Sequence, residues 1–267
     1  MHPVATMCKS PLHNLLTALP KRRPPPDPAY TSTEALLARY GRFTCLDDFL
    51  HYYLGMGVLV TADDFEALAW AYFVKATSQR VRHAEVFFDP KAHTARGVAY
   101  DVVVQGLLAA KRRAESELGM TVEYIVCILR HLPLADSHVL VDTVLDRGHL
   151  VDGTLAGFGM VSSEKNFPPE LFADIYSRVA KTGTRLTTHA GEEAGPESIA
   201  ASLAHLGVTR IDHGCRVQDT FALSVKDWAW IARGAVEGSW CGEERKQELT
   251  AEVDAVLREF GHADAAA

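Results

Sequence analysis

The stretch Arg185-Leu186-Thr187-Thr188-His189-Ala190-Gly191-Glu192, followed by Pro196 to Leu206 and then by Val208-Thr209-Arg210-Ile211-Asp212-His213-Gly214, decides the fold. It reads as strand, helix, strand: two short runs rich in apolar and β-branched residues lie either side of one helical pattern. Two strands joined through a single helix make a βαβ unit, and that unit implies a parallel sheet.

The same alternation extends upstream. Asp63 to Gln79 reads as a helix, with Thr61 as its N-cap and Asp63 and Asp64 at its positive end. Ala84 to Phe88 is strand-like and is stopped by Asp89-Pro90. Tyr100 to Leu118 is a helix ended by Gly119, with Val103, Leu107, Leu108 and Ala110 apolar and Lys111, Arg112 and Arg113 on the opposite face. Thr121 to Leu129 and Leu155 to Met160 add strands, and Pro169 to Ala180 adds a helix. Five strands result. The tail from Ser224 to Phe260 reads as wholly helical, with Trp228, Ile231, Val236, Leu249, Val253 and Leu257 at helical spacing.

Two places break the pattern. Lys21-Arg22-Arg23-Pro24-Pro25-Pro26-Asp27-Pro28 can be neither a helix nor a central strand. After Thr220 the chain runs directly into Phe221-Ala222-Leu223-Ser224, where Ser224 looks like a helix N-cap. The expected organisation is an irregular Pro-rich segment over 1–29 and a single domain over 30–267, with a gap after 220 and closing helices over 224–260.

Composition narrows the class. The 267 residues are 48% hydrophobic and 23% charged, enough for one large core. A net charge of -7 argues against a nucleic-acid-coating surface and favours small-molecule chemistry. The five cysteines are far apart and form no CxxC pair, which fits a reducing compartment without structural disulfides. There is no secretory h-region and no membrane-length apolar run. A cytoplasmic protein is expected, with the nucleus as a second compartment.

In parallel α/β arrays, ligand-binding groups gather at the carboxyl ends of strands. His189 ends one strand, Glu192 begins its loop, and His213 ends the next strand. Two imidazoles and a carboxyl at one mouth suit hydrolysis: one histidine on a metal, one to orient or deprotonate water, and an acid to donate a proton. Taken singly, each has an ordinary alternative, a satisfied rim histidine or an acid at a helix N-terminus. Their convergence favours function.

The segment Thr188-His189-Ala190-Gly191-Glu192 resembles the HAGE motif of adenosine and adenine deaminases, and Arg210-Ile211-Asp212-His213-Gly214 resembles their second signature. Ala84 to Val98 and Ser162-Ser163-Glu164-Lys165-Asn166-Phe167-Pro168-Pro169 are similar to segments of the adenine-specific branch, and Ser239 to Val253 to the family's closing helices. The resemblance runs from about Tyr30. It implies a (β/α)8 TIM-barrel-type metal-dependent hydrolase, one Zn2+ per intact chain, and a purine substrate attacked at the carbon bearing its amino group. It makes His189 a zinc ligand, Glu192 the acid for the purine ring nitrogen, His213 the group that orients or activates water, and Ser162 and Ser163 part of the base pocket.

The departures are equally specific. The family has a His-x-His pair after Leu-Pro-Lys; here Arg22-Arg23-Pro24 follows Leu19-Pro20-Lys21, and no His-x-His occurs. The paired Asp expected beyond His213 is absent, and Val161 stands where the adenine branch carries Asp. Three of four protein ligands are missing, together with the first, seventh and eighth strands, which are neighbours around a closed barrel. The expectation is an incomplete barrel of about five strands, an open sheet with unpaired edges. Adenine deamination is expected to be impaired here, with zinc binding weak or absent. The alternatives are an adenosine deaminase, a non-catalytic or interaction fragment of the same family, and a metal amidohydrolase of other specificity.

Overall fold

The computed structural model describes residues 27–214 and 224–259. The Pro-rich run up to Pro26, the joint expected after Thr220, Cys8 and Cys215 lie outside the described residues. Two compact units are present. One combines Met1–Ala84 with Phe88–Val122, and the other combines Glu85–Phe87 with Glu123–Ala267.

The first unit holds α1 (Thr33–Tyr40), α2 (Leu46–Leu50), α3 (Ala62–Ser78), α4 (Lys91–Thr94) and α5 (Tyr100–Leu118). At the start of α3 the Asp64 carboxylate accepts from the backbone N–H groups of Val60 at 2.9 Å and Thr61 at 2.7 Å, which fixes the helix entry where the sequence placed it. Helices α3 and α5 approach closely because position 106 is glycine: a Cβ there would lie 2.2 Å from the Ala62 carbonyl oxygen. Gly119 ends α5 in the left-handed conformation, with φ of 62°. Tyr30, Leu36, Val58, Leu59, Phe65, Val98 and Val103 form the apolar cluster of this unit. Burying such side chains stabilises by roughly 1.5–3 kcal/mol each before entropy is charged against it.

The second unit carries the sheet. Strand β1 (His83–Phe88) contributes its middle, β2 (Thr121–Leu129) contributes all but its first two residues, and β3 (Gly157–Val161), β4 (Arg185–Ala190) and β5 (Arg210–His213) lie wholly within it. The strand order is β1-β2-β3-β4-β5, and the ladders from β2 to β5 are parallel. Ile125 pairs with Gly157, Phe158 with Leu186, and His189 with Asp212. Tyr124 to Leu129 and all of β3 are buried, as expected of central parallel strands covered on both faces. The chain thus has five consecutive staves of an incomplete (β/α)8 barrel, as expected from its sequence.

Helices α6 (Leu134–Asp146), α7 (Ala173–Ala180) and α8 (Pro196–His205) complete the crossovers. The tail, expected to be wholly helical, is two helices, α9 (Val225–Glu237) and α10 (Glu243–Glu259), interrupted at Gly238 to Gly242. Ser224 caps α9, accepting from the Asp227 N–H while Asp227 accepts from the Ser224 N–H at 2.8 Å. The interruption places Trp240 against the sheet: its ring lies where a Cβ on Gly157 would be. The Arg210 guanidinium stacks 4.0 Å from the Trp240 ring centroid. Much of α9 stays open, with Trp228 48% and Trp230 76% exposed. Cys45, Cys127 and Cys241 are free thiols, and among the described residues no helix is long and apolar enough to cross a membrane.

Candidate metal and proton-transfer site

His189 and His213 come from neighbouring parallel strands, so their side chains reach the same mouth. The β4–β5 register sets His213 beside Ala190, one residue beyond His189. His213 adopts φ of 71° and Gly214 φ of 58°, while Gly191 after β4 has φ of 71°. Left-handed backbone at a histidine is uncommon and costs on the order of 1–2 kcal/mol, which marks this turn as held for a purpose.

The geometry is tight. His213 Nε2 lies 3.1 Å from His189 Nδ1, and the two rings meet edge to face with centroids 4.4 Å apart. Glu192 Oε2 lies 3.4 Å from His213 Nε2. One ligand atom from each of the three falls within 4.8 Å of the others. Phe87 presses its ring on His189 from a centroid distance of 5.3 Å. Burial pushes the His213 pKa down, and the Glu164 carboxylate works the other way. The neutral imidazole is therefore favoured, the form that accepts a proton or binds a metal.

The donor set fits a metal. Two ligand atoms on a tetrahedral zinc, each at about 2.0–2.1 Å, sit roughly 3.3 Å apart. The 3.1 Å and 3.4 Å separations match two edges of such a tetrahedron.

Two reciprocal carboxylates lock the loops around this cluster. Glu164, 5% exposed, accepts from the backbone N–H groups of Gly191 at 3.2 Å, Glu192 at 3.0 Å and Ala194 at 3.1 Å. In return Glu193 accepts from the Ser163 hydroxyl at 3.1 Å and the Glu164 N–H at 3.2 Å. Arg130, wholly buried, donates through Nη1 to the His189 carbonyl at 3.3 Å and feels the Glu164 charge, which opposes the fall in its pKa caused by burial. Its Nε and Nη2 make no hydrogen bond among the described residues.

Of the residues named from sequence, the structure brings together His189, Glu192 and His213. Ser162 and Ser163 lie at the end of β3, both buried, and their hydroxyls are engaged: Ser162 Oγ with His131 Nδ1 at 2.6 Å, Ser163 Oγ with Glu193. Val161 is a buried strand residue paired with Leu129. The roles of Glu164, Glu193 and Arg130 do not follow from motif reading. The available signal was position: Arg130 directly follows β2, Glu193 directly follows the HAGE tetrad, and Glu164 lies three residues beyond β3, at strand ends where a charged side chain can turn inward.

A separate cavity of about 630 Å³ runs along β5 and is lined by Glu85, Phe87, Arg210, Asp212 and Trp240. Most of its polar groups are paired within the lining or with Thr187, while Arg210 Nε has no hydrogen bond among the described residues. Arg210 pairs with Glu85, the Trp240 N–H donates to Glu85, and the Thr187 hydroxyl donates to Asp212 at 2.6 Å. None of the three clustered donors lines it, so the chemistry belongs to the mouth and not to this cavity.

Residues 21–224 match the model of the adenosine deaminase family. An adenine deaminase from Gibberella zeae is 51% identical over an alignment of 353 residues that covers 97% of this chain and 100% of the relative. That alignment is longer than the 267 residues of the chain, so more than eighty positions of the relative have no counterpart here. The crystal structure of an adenine deaminase from Arthrobacter aurescens superposes with a TM-score of 0.83 at 26% identity, covering 97% of each chain. An amidohydrolase from Burkholderia ambifaria, with bound Zn, shares the fold with a TM-score of 0.76 at 18% identity, covering 98% of this chain and 95% of the other. By its motif-bearing strand ends, its five-stave sheet and the span of these matches, the chain belongs to the adenosine deaminase family.

Proposed function

We propose that this site derives from one that hydrolyses adenine to hypoxanthine and ammonia, and that the present chain carries it in impaired form within one deaminase-type domain from residue 30 onward. The observation that carries the reading is the convergence of His189, Glu192 and His213 at the carboxyl ends of adjacent parallel strands. The adenine deaminases similar to it support adenine over adenosine as the substrate. Solution in the cytoplasm suits such a salvage reaction.

In the intact site each residue has one task. His189 would hold zinc, which when bound would supply Lewis acidity and make water easier to deprotonate. His213, held neutral by burial, accepts the proton of that water. Glu192 donates a proton to the purine ring nitrogen, so that negative charge does not build on the ring as the amino-bearing carbon becomes tetrahedral. The proton taken up by His213 passes to the amino group, which leaves as ammonia, and the hydroxyl on the same carbon returns a proton to Glu192 as the 6-oxopurine forms. Ser162 and Ser163 close the base pocket through the loop that Glu164 ties to Glu192.

Impairment rests on sequence: no His-x-His pair precedes β1 and no paired Asp follows His213. The test has two arms. A full-length relative is assayed for kcat/KM on adenine and adenosine, and a clear preference for the nucleoside overturns the substrate. The 267-residue chain, supplied with zinc, is assayed for ammonia release from adenine; turnover near that of the relative overturns the impairment.

A further inference from the structure

We propose that in this chain Glu192 and His213 are metal ligands instead of proton-moving groups, so that His189, Glu192 and His213 alone form a three-ligand site for a divalent transition metal. The inference rests on the reading above for placing a metal at His189, and departs from it in what the other two residues do.

Counted from the sequence, one ligand of the family's set survives, and one histidine would hold zinc only with a dissociation constant of about millimolar order. The structure gives a different count. Three donors from three side chains converge within 4.8 Å of one another, and His213 stands at coordination spacing from both of the others, 3.1 Å from the His189 nitrogen and 3.4 Å from the Glu192 carboxylate. Without an ion, the contact between His189 Nδ1 and His213 Nε2 needs one nitrogen to donate and the other to accept. A cation satisfies both lone pairs at once. Two neutral imidazoles and one carboxylate select borderline ions such as Zn2+ or Co2+ over Mg2+ or Ca2+, and three protein ligands leave an open position.

The site is also built to stay in place without the missing segments. His213 is aimed by its left-handed turn, and the Glu192 backbone is fixed by its N–H to Glu164. The His189 carbonyl is held by Arg130, and the ring by Phe87. All of these contacts come from β1 to β5 and their own loops, which the chain retains. Once both the His213 lone pair and a Glu192 oxygen are on an ion, no acid and no base remain for purine chemistry. The chain then binds metal while deaminating poorly, and one cause produces both properties.

The test uses the full chain without substrate. Titration with Zn2+ by calorimetry and with Co2+ by visible absorption should give one ion per chain, with a dissociation constant on the order of micromolar. The Co2+ bands should have the intensity of a four- or five-coordinate site. His189→Ala, His213→Ala and Glu192→Gln should each weaken binding by about a hundredfold or more, whereas His205→Ala, at an exposed histidine, should leave it unchanged. Metal-free melting of each variant checks that it folds, and added imidazole should restore Co2+ binding to His213→Ala. No stoichiometric binding below millimolar metal overturns the proposal. So does wild-type affinity in either His213→Ala or Glu192→Gln. Because adenine is absent throughout, failure here leaves the purine reading standing, and failure of that reading in a full-length relative leaves this one standing.

Discussion

His93 in the first unit and the pair His189 and His213 in the second are partly or largely buried imidazoles in one chain, with opposite surroundings. His93 sits on α4 with ordinary helical backbone, its ring edge-on to Phe65 at 4.7 Å and its Nδ1 2.7 Å from an Arg96 nitrogen. Burial, with Arg96 adding to it, lowers its pKa to about 4. It is a neutral core histidine whose polar atom has found a local partner. His189 and His213 instead face each other and a carboxylate from separate strand ends, on backbone that tolerates a left-handed turn. Burial alone therefore does not separate structural from functional histidine. Convergence of like donors, held by contacts distant in sequence, does.

The largest effect expected is at the lock of the mouth. Glu164→Ala removes the acceptor of three backbone N–H groups on the Gly191 to Ala194 loop. Unsatisfied buried donors cost about 1–3 kcal/mol each, partly relieved by water, so a net loss of about 4 kcal/mol is expected in denaturant titration. Metal affinity should fall by roughly 10–100-fold along with it, the usual consequence of losing an outer-shell partner. The milder Glu164→Gln should keep most of the stability and still lower the affinity. If metal binding is unaltered in both variants, the lock does not position Glu192.

The base of the same strands should answer differently. Trp240→Ala empties the space over Gly157 and removes the stack on Arg210. A loss of about 3 kcal/mol is expected, with metal affinity within about threefold of the parent. A large loss of metal binding with little loss of stability would show that base and mouth are coupled and that the contrast between them is false.

How far the sequence carried these features follows from the range of the interactions involved. Strands β1 to β5 and helices α3 and α5 are legible within a residue or two, because capping acids, Gly119 and continuous apolar runs act locally. No element is named from sequence between Leu129 and Leu155, where α6 stands, and the tail is read as helical throughout, with no break marked at Gly238 to Gly242. The break there is decided by Trp240 meeting Gly157, more than eighty residues away, which no local period records. Likewise the HAGE motif exposes His189 and Glu192, whereas the Glu164 and Glu193 exchange exists only once β3 and β4 lie side by side.

The smallest effect expected tests the other half of the opening contrast, the claim that His93 is neutral and structural. Its folded pKa of about 4 is below the ordinary 6.5, so between those values the unfolded chain binds a proton that the folded chain refuses. The neutral ring therefore contributes stability that is fully present above about pH 6.5 and is lost as pH falls through about 4. The full shift would amount to about 3 kcal/mol, and incomplete burial with local opening should reduce the observed change to about 1–2 kcal/mol. Denaturant unfolding at steps between pH 7.5 and 4 should show this loss in the parent chain. His93→Leu cannot take up the proton, so the difference in stability between the two proteins should shift in favour of the variant as the solution is acidified, with metal affinity at neutral pH unchanged. Parallel pH curves for parent and His93→Leu would mean that His93 is charged or solvated in the folded protein. It would then lose its place as the structural histidine against which His189 and His213 are judged.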